Sequence, residues 1–198
     1  MTSRVTFVPP AMNASLREVR FDDGASIEPA GAARARAAAG SLPGGTRVVT
    51  SPSARCRETA AALGLDVQEA SVAAGLAGLD VGRWRGLTLA EVGAAEPEAV
   101  ARWLADPASA PHGGESVRDL CDRVAVWLDA AAGEGRTVAV VEPDVVRAVV
   151  VRVVGAPVEA FWRLDVAPLT ATEVSGRSGR WNLRLGRPLD ATAATDAD

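Results

Sequence analysis

Short runs of β-branched residues alternate with alanine-rich stretches along this chain, and that alternation narrows the fold more than any single residue does. Val5–Val8, Arg47–Thr50, Thr137–Val141, Ala171–Ser175 and Trp181–Leu185 have the character of strands. Pro29–Ala39, Pro52–Leu63, Pro97–Leu104, Glu115–Ala132 and Pro143–Val154 have the character of helices. Strands separated by crossover helices predict an α/β fold, a three-layer α/β/α sandwich with a mainly parallel central sheet. Four of these helices begin with proline, whose missing N–H costs nothing in a first helical turn.

At 198 residues and 48% hydrophobic content, one core and one domain are expected, over residues 1–187. The segment PLDATAATDAD, 188–198, is small and polar and is expected to be a disordered tail. A net charge of −4 suits neither nucleic acid nor an anionic membrane. Every one of the 21 basic residues is arginine, so no lysine exists for Schiff-base chemistry. Cys56 and Cys121 lie far apart with no ligand spacing, which predicts buried thiols, no metal and no cofactor. The chain starts without an apolar leader, and the run Val145–Val154 is broken by Arg147 and Arg152. A cytoplasmic protein with a small-molecule ligand is the expectation, and homo-oligomers stay open.

Three motifs carry chemistry. In SPSARCRETAAAL, Ser51–Leu63, Ser51 is expected to cap a helix whose first position is Pro52. Arg55 on that first turn can hold an oxyanion bidentately. LDVGRWRGLTLAEV, Leu79–Val92, sets two glycines and Trp84 in a tight loop that opens a helix. PHGGESVRDLCDRVAVWL, Pro111–Leu128, joins a glycine-rich turn to an amphipathic helix with Leu120, Val124, Trp127 and Leu128 on one face.

In this order and spacing, the motifs resemble the histidine phosphatase (phosphoglycerate mutase-like) superfamily, in which Arg-His-Gly, SPxxRxxETA, GxWxG, GES and a strand-end His follow one another. The resemblance spans most of residues 4–175. It implies a site at the C-terminal ends of the parallel strands. Compared position by position, the family's first Arg and nucleophilic His fall on Pro9 and Pro10, its second Arg on Arg55, its acid on Gly78 and its second His on Glu142.

Proline offers no nucleophilic atom, so these matches predict a family fold without phosphohistidine chemistry. One expectation is a cavity repurposed for a small organic molecule, with Glu142 as general acid or base and Arg55 holding an anion. The alternative is a non-catalytic ligand binder or interaction module, in which Glu142 pairs with Arg55 or complements the dipole of the next helix. Ligand contacts are expected from Arg55, Asn13, Arg17, Trp84, His112 and Pro10. Simpler roles for several of these are a turn at Asn13, a surface ion pair at Arg17 and an exposed loop at His112. Asp80 is expected at a surface or cap, and Asp144 at the positive end of the helix dipole.

Overall fold

The computed structural model describes residues 2–67, 71–177 and 179–190. Its centre is a mixed sheet built from β1 (Ser3–Val8), β2 (Arg47–Thr50), β3 (Ser71–Val72), β4 (Arg136–Val140), β5 (Thr170–Arg177) and β6 (Arg180–Pro188). The spatial order is β3-β2-β4-β1-β5-β6. The first four of that order run parallel, whereas β5 is antiparallel to β1 and β6 antiparallel to β5.

Alternation along the strands sends side chains to two cores, as a sheet covered on both faces requires. Val5, Phe7, Ala139 and Val141 pack with α6 (Val117–Ala130) and α7 (Pro143–Val154). Val8, Val138 and Val140 pack on the other side with α2 (Pro29–Ala37) and α3 (Ala54–Ala62). Along α6, Leu120, Val124 and Leu128 are fully buried, the face that helical spacing predicts. A third, smaller core joins Val81, Trp84, Val92 and Trp103, beneath α4 (Leu89–Ala95) and α5 (Pro97–Ala105).

The layers agree with the sequence reading, and the boundaries shift. α3 starts at Ala54 because the Ser53 hydroxyl, not that of Ser51, accepts the Cys56 N–H at 3.3 Å. The short helix α1 (Ala14–Arg17) and the two-residue β3 are too brief for any periodicity to register. β6 reaches Pro188, and Leu189 is buried with its N–H on the Leu169 carbonyl at 3.1 Å. The start of the expected tail is therefore ordered; positions 191–198 lie outside the described residues. Among those described, no helix is long and apolar enough to cross a membrane.

Candidate functional site

A cleft of about 610 Å³ opens where β2 and β4 give way to α3 and α7. Ser51, Pro52 and Arg55 wall one side, Glu142, Pro143 and Asp144 another, and Gly78 and Leu79 a third. Loops that follow parallel strands converge at this edge because each crossover leaves from the same end of the sheet.

Two buried charges from different elements meet at the base. Arg55 occupies the first turn of α3, and Glu142 is the residue that caps α7. Arg55 Nε donates to Glu142 Oε1 at 2.9 Å and Nη2 donates to Oε2, a two-point pairing. The residues are only 6% and 3% exposed. Burial on its own would lower the Arg55 pKa; the Glu142 carboxylate more than offsets it and raises the value. The Cys56 thiol donates to the same Oε1 at 3.5 Å. Burial first, and Glu142 second, push that thiol well above its ordinary value. Glu142 makes no side-chain bond to its own helix end, because its carboxylate is committed to Arg55.

Gly78 forms the wall opposite Glu142. A Cβ at this position would stand 2.8 Å from Glu142 Cγ and 3.3 Å from Glu142 Cβ. Arg123 of α6 fixes the preceding loop from behind. It donates to the carbonyls of Gly75, Ala77 and Gly78 at 3.0, 2.8 and 3.1 Å and pairs with both oxygens of Glu115. The glycines of the two flanking motifs sit where the backbones touch. Glu115 N–H reaches the Asp80 carbonyl at 2.7 Å and Arg83 N–H the His112 carbonyl at 3.1 Å. A Cβ on Gly82 would strike the His112 carbonyl, and one on Gly114 the Asp80 carbonyl.

The cleft carries balanced charge. Arg20, Arg55, Arg85 and Arg147 line it together with Asp22, Asp80, Glu142 and Asp144. Asp22 stands 3.8 Å from both Arg55 and Arg85. Arg147 donates to Asp144 Oδ1 at 3.3 Å and to the Leu164 carbonyl at 2.8 Å. Burial pushes the Asp144 carboxyl above the usual aspartate value and Glu142 adds to this, against the opposing pull of Arg147. Among the described residues, no three His, Cys, Asp or Glu side chains stand together as a metal-binding set.

Of the seven residues that the sequence marks as catalytic or ligand-contacting, the cleft brings together Arg55 and Glu142. The other five lie outside its lining. Asn13 is buried as the cap of α1, accepting the Leu16 N–H at 3.0 Å and donating to the Ala25 carbonyl. Arg17 pairs with Glu28 at 2.5 Å on the surface. Pro10 is buried in the turn after β1, where Ala11 N–H is held by Thr59 Oγ1 at 3.0 Å and the Pro9 carbonyl accepts from Leu169.

Trp84 and His112 correct the picture of a ligand-facing aromatic and an exposed loop histidine. Both are fully buried, 5.0 Å apart between ring centres, with Trp103 edge-on to each. Apolar surface of that size is worth more in a core than over a wet cleft. Sequence reasoning missed Asp22, Arg85, Arg123 and Arg147. The Asp-Asp-Gly turn at 22–24 was a legible hint of the first. The arginines carry no local signature among so many others.

Residues 11–187 match the histidine phosphatase superfamily (branch 1). A bifunctional protein of Mycobacterium tuberculosis is 43% identical over 100 residues, 48% of this chain and 27% of that protein. A glucosyl-3-phosphoglycerate phosphatase of Mycolicibacterium vanbaalenii is 43% identical over 77 residues, 38% of this chain and 34% of that one. The chain thus spans about a third or less of the length of these curated relatives. The solved structure of a mycobacterial glucosyl-3-phosphoglycerate phosphatase superposes with a TM-score of 0.79 at 25% identity, over 95% of this chain and 100% of the other. An α-ribazole-5'-P phosphatase structure from Escherichia coli, described as putative, shares the fold with a TM-score of 0.82 at 19% identity, over 95% and 97% of the two chains.

These likenesses overturn the expectation of a cavity turned away from phosphate esters, whether as a repurposed acid–base enzyme or as a non-catalytic module. Over nearly its whole length the chain is similar, at 25% identity, to a protein described as a phosphatase. The expectation rested on Pro9, Pro10, Gly78 and Glu142, of which only Gly78 and Glu142 line the cleft, together with many other polar groups.

Proposed function

The chain belongs to the histidine phosphatase superfamily, and from that footing we propose that it is a phosphomonoester hydrolase acting on a small organic phosphate in the strand-end cleft. The observation that carries this reading is its full-length likeness to a phosphatase whose substrate is a phosphorylated, glycosylated organic acid. The cleft supports it in size and position, being large enough for a sugar phosphate and placed at the ends of parallel strands.

In this reading the family's Arg-His-Gly position is taken by Pro9-Pro10-Ala11. Neither proline side chain has a lone pair to offer phosphorus, so the attacking group is water. Phosphoryl transfer asks mainly for positioning and charge stabilisation. Arg85 and Arg147 line the cleft wall and take the phosphoryl oxygens. Glu142 accepts the proton of the attacking water, and Arg55 holds its carboxylate in a single orientation through the two-point pairing.

The test is release of inorganic phosphate by purified protein from glucosyl-3-phosphoglycerate, 3-phosphoglycerate and 4-nitrophenyl phosphate. Expected is turnover of at least one ester that falls by roughly 100-fold or more in Glu142→Gln, the usual worth of a general base. Phosphate release no faster than in buffer for all three esters, or turnover that ignores Glu142→Gln, overturns the reading.

A further inference from the structure

We propose that the open part of the sheet, away from the cleft, is a docking face for an acidic protein segment, taken up as an extended strand along β6 with Asp or Glu at alternate positions. It stands apart from the phosphatase reading and uses none of the cleft's lining residues.

Strand register brings five arginines onto one face. Arg136, Arg4, Ser175 and Asn182 are successive partners across β4, β1, β5 and β6 and form one row. Two residues further from the cleft, Arg177 opposes Arg180; two residues nearer, Glu173 opposes Arg184. Side chains two apart on a strand share a face, so these rows lie on one side of the sheet. Nearer the cleft that side carries Val8, Val138 and Ala171, and α2 and α3 cover it. The five arginines stand beyond that cover, all exposed.

This placement costs stability. Arg136 beside Arg4 and Arg177 beside Arg180 are like charges directly opposite one another, which repel. Elsewhere on the surface Arg17, Arg47, Arg83 and Arg152 each meet a carboxylate. Among the described residues, none of the five has such a partner, and the one carboxylate of these rows, Glu173, lies 3.9 Å from Arg187. A chain of net charge −4 thus gathers positive charge here without neutralising it, and an anionic partner supplies what the fold omits.

β6 is the edge of the sheet. Its regular pairing ends after Arg184, at an irregularity that holds Gly186 with φ +56°. From Arg180 to Arg184 its outward backbone N–H and C=O groups are available to a further strand. On an added strand, alternate side chains about 7 Å apart fall on the arginine face, where carboxylates meet Arg180 and Arg184 across Asn182. A second copy of this chain does not fit, since β6 laid on β6 sets arginine against arginine. Nucleic-acid bases find no aromatic ring to stack on in these rows; Trp181 packs from the opposite face into the core with α6 and α7. A bilayer finds no apolar side chain there to take up.

The experiment uses the whole chain and three fluorescein-labelled nonapeptides: Thr and Glu alternating, the same composition in two blocks, and Thr and Lys alternating. Fluorescence anisotropy reads affinity, and hydrogen exchange reads β6. The alternating acidic peptide is expected to bind about 10-fold or more tighter than either control and to weaken as salt rises. It is also expected to slow exchange over residues 181–184 more than over α2. Arg180→Glu with Arg184→Glu is expected to weaken binding about 10-fold or more, two attractions being lost and two repulsions gained. Arg180→Gln with Arg184→Gln, which keeps polar side chains on the edge, is expected to show a smaller loss; urea unfolding checks that each variant is folded, and the Gln pair decides if the Glu pair is not. No binding of the alternating acidic peptide, equal binding by either control, binding unchanged in the folded variants, or binding that leaves β6 exchange unaltered overturns the proposal. So does tighter binding to oligothymidylate or to phosphatidylserine vesicles than to that peptide.

Discussion

Gly78 and Glu142 share one space: a Cβ on the glycine would stand 2.8 Å from Cγ of the glutamate. Position 78 has no left-handed backbone to excuse the glycine, so the constraint is steric. The bulk absent at 78 is what admits the long carboxylate of Glu142, and the two residues that look like separate departures in sequence are one packing solution.

Gly78→Ala is expected to cost about 1–3 kcal/mol, the usual range for overpacking a filled site. The same substitution made on a Glu142→Ala background is expected to cost little, because Cγ is gone. Urea unfolding of the four proteins in this cycle measures the coupling directly. Equal costs on both backgrounds would show that the two residues do not compete for space.

Arg55→Met leaves the Glu142 carboxylate buried without its cation, and a loss of about 3–5 kcal/mol is expected. Replacing both residues together, as Arg55→Met with Glu142→Leu, is expected to recover most of that loss, since the desolvation cost vanishes with the charges. Chemical denaturation is the measurement. A double variant no better than the single one would place the stabilisation elsewhere in α3 or α7.

His112 makes the fold sensitive to mild acid. Its Nδ1 accepts the Gly114 N–H at 3.1 Å, so the buried ring is neutral with the proton on Nε2. Burial lowers its pKa; Asp80 pulls upward and Arg83 downward. Above the unfolded value of about 6.5 neither state binds the proton, and the full stability is present. As the pH falls through 6.5 the unfolded chain takes up a proton that the folded chain refuses. Stability then falls by at most about 1.4 kcal/mol per pH unit and levels off below the folded pKa. His112→Asn keeps an acceptor for Gly114 and is expected to remove this part of the slope between pH 7 and 5. An unchanged slope would exclude His112 as its source.

Arg123 is expected to be irreplaceable by lysine. Its planar fork serves three carbonyls and a carboxylate at once, a geometry an ammonium cannot reproduce. Arg123→Lys is expected to destabilise by about 1–3 kcal/mol through the unmet carbonyls. Hydrogen exchange over residues 75–80 should accelerate more than over α2. Exchange that rises equally everywhere would argue against a local role.

Much of the sheet could be read in advance from Val5–Val8 and Thr137–Val141, whose alternating burial toward two cores is a property of strands and needs no partner to be recognised. The same holds for α6, where Leu120, Val124 and Leu128 repeat at helical spacing. Trp84 and His112 were placed wrongly because a glycine-rich loop gives no hint of the aromatic cluster that closes over it. Asp22, Arg85 and Arg147 reach the cleft from segments far apart in the chain, and nothing local distinguishes them from surface charges.

By itself, the sequence determined the layers, the family and the presence of Arg55 and Glu142 at the strand ends, because periodicity and ordered motifs are local records of what each segment buries. Only the tertiary structure decided that those two side chains bind one another in two-point contact, that Gly78 makes the room for it, and that Asp144 faces the same cleft. Distances between residues brought together by chain crossings arise from the packing of α3 against β4 and of α6 against α7, and no local pattern encodes them.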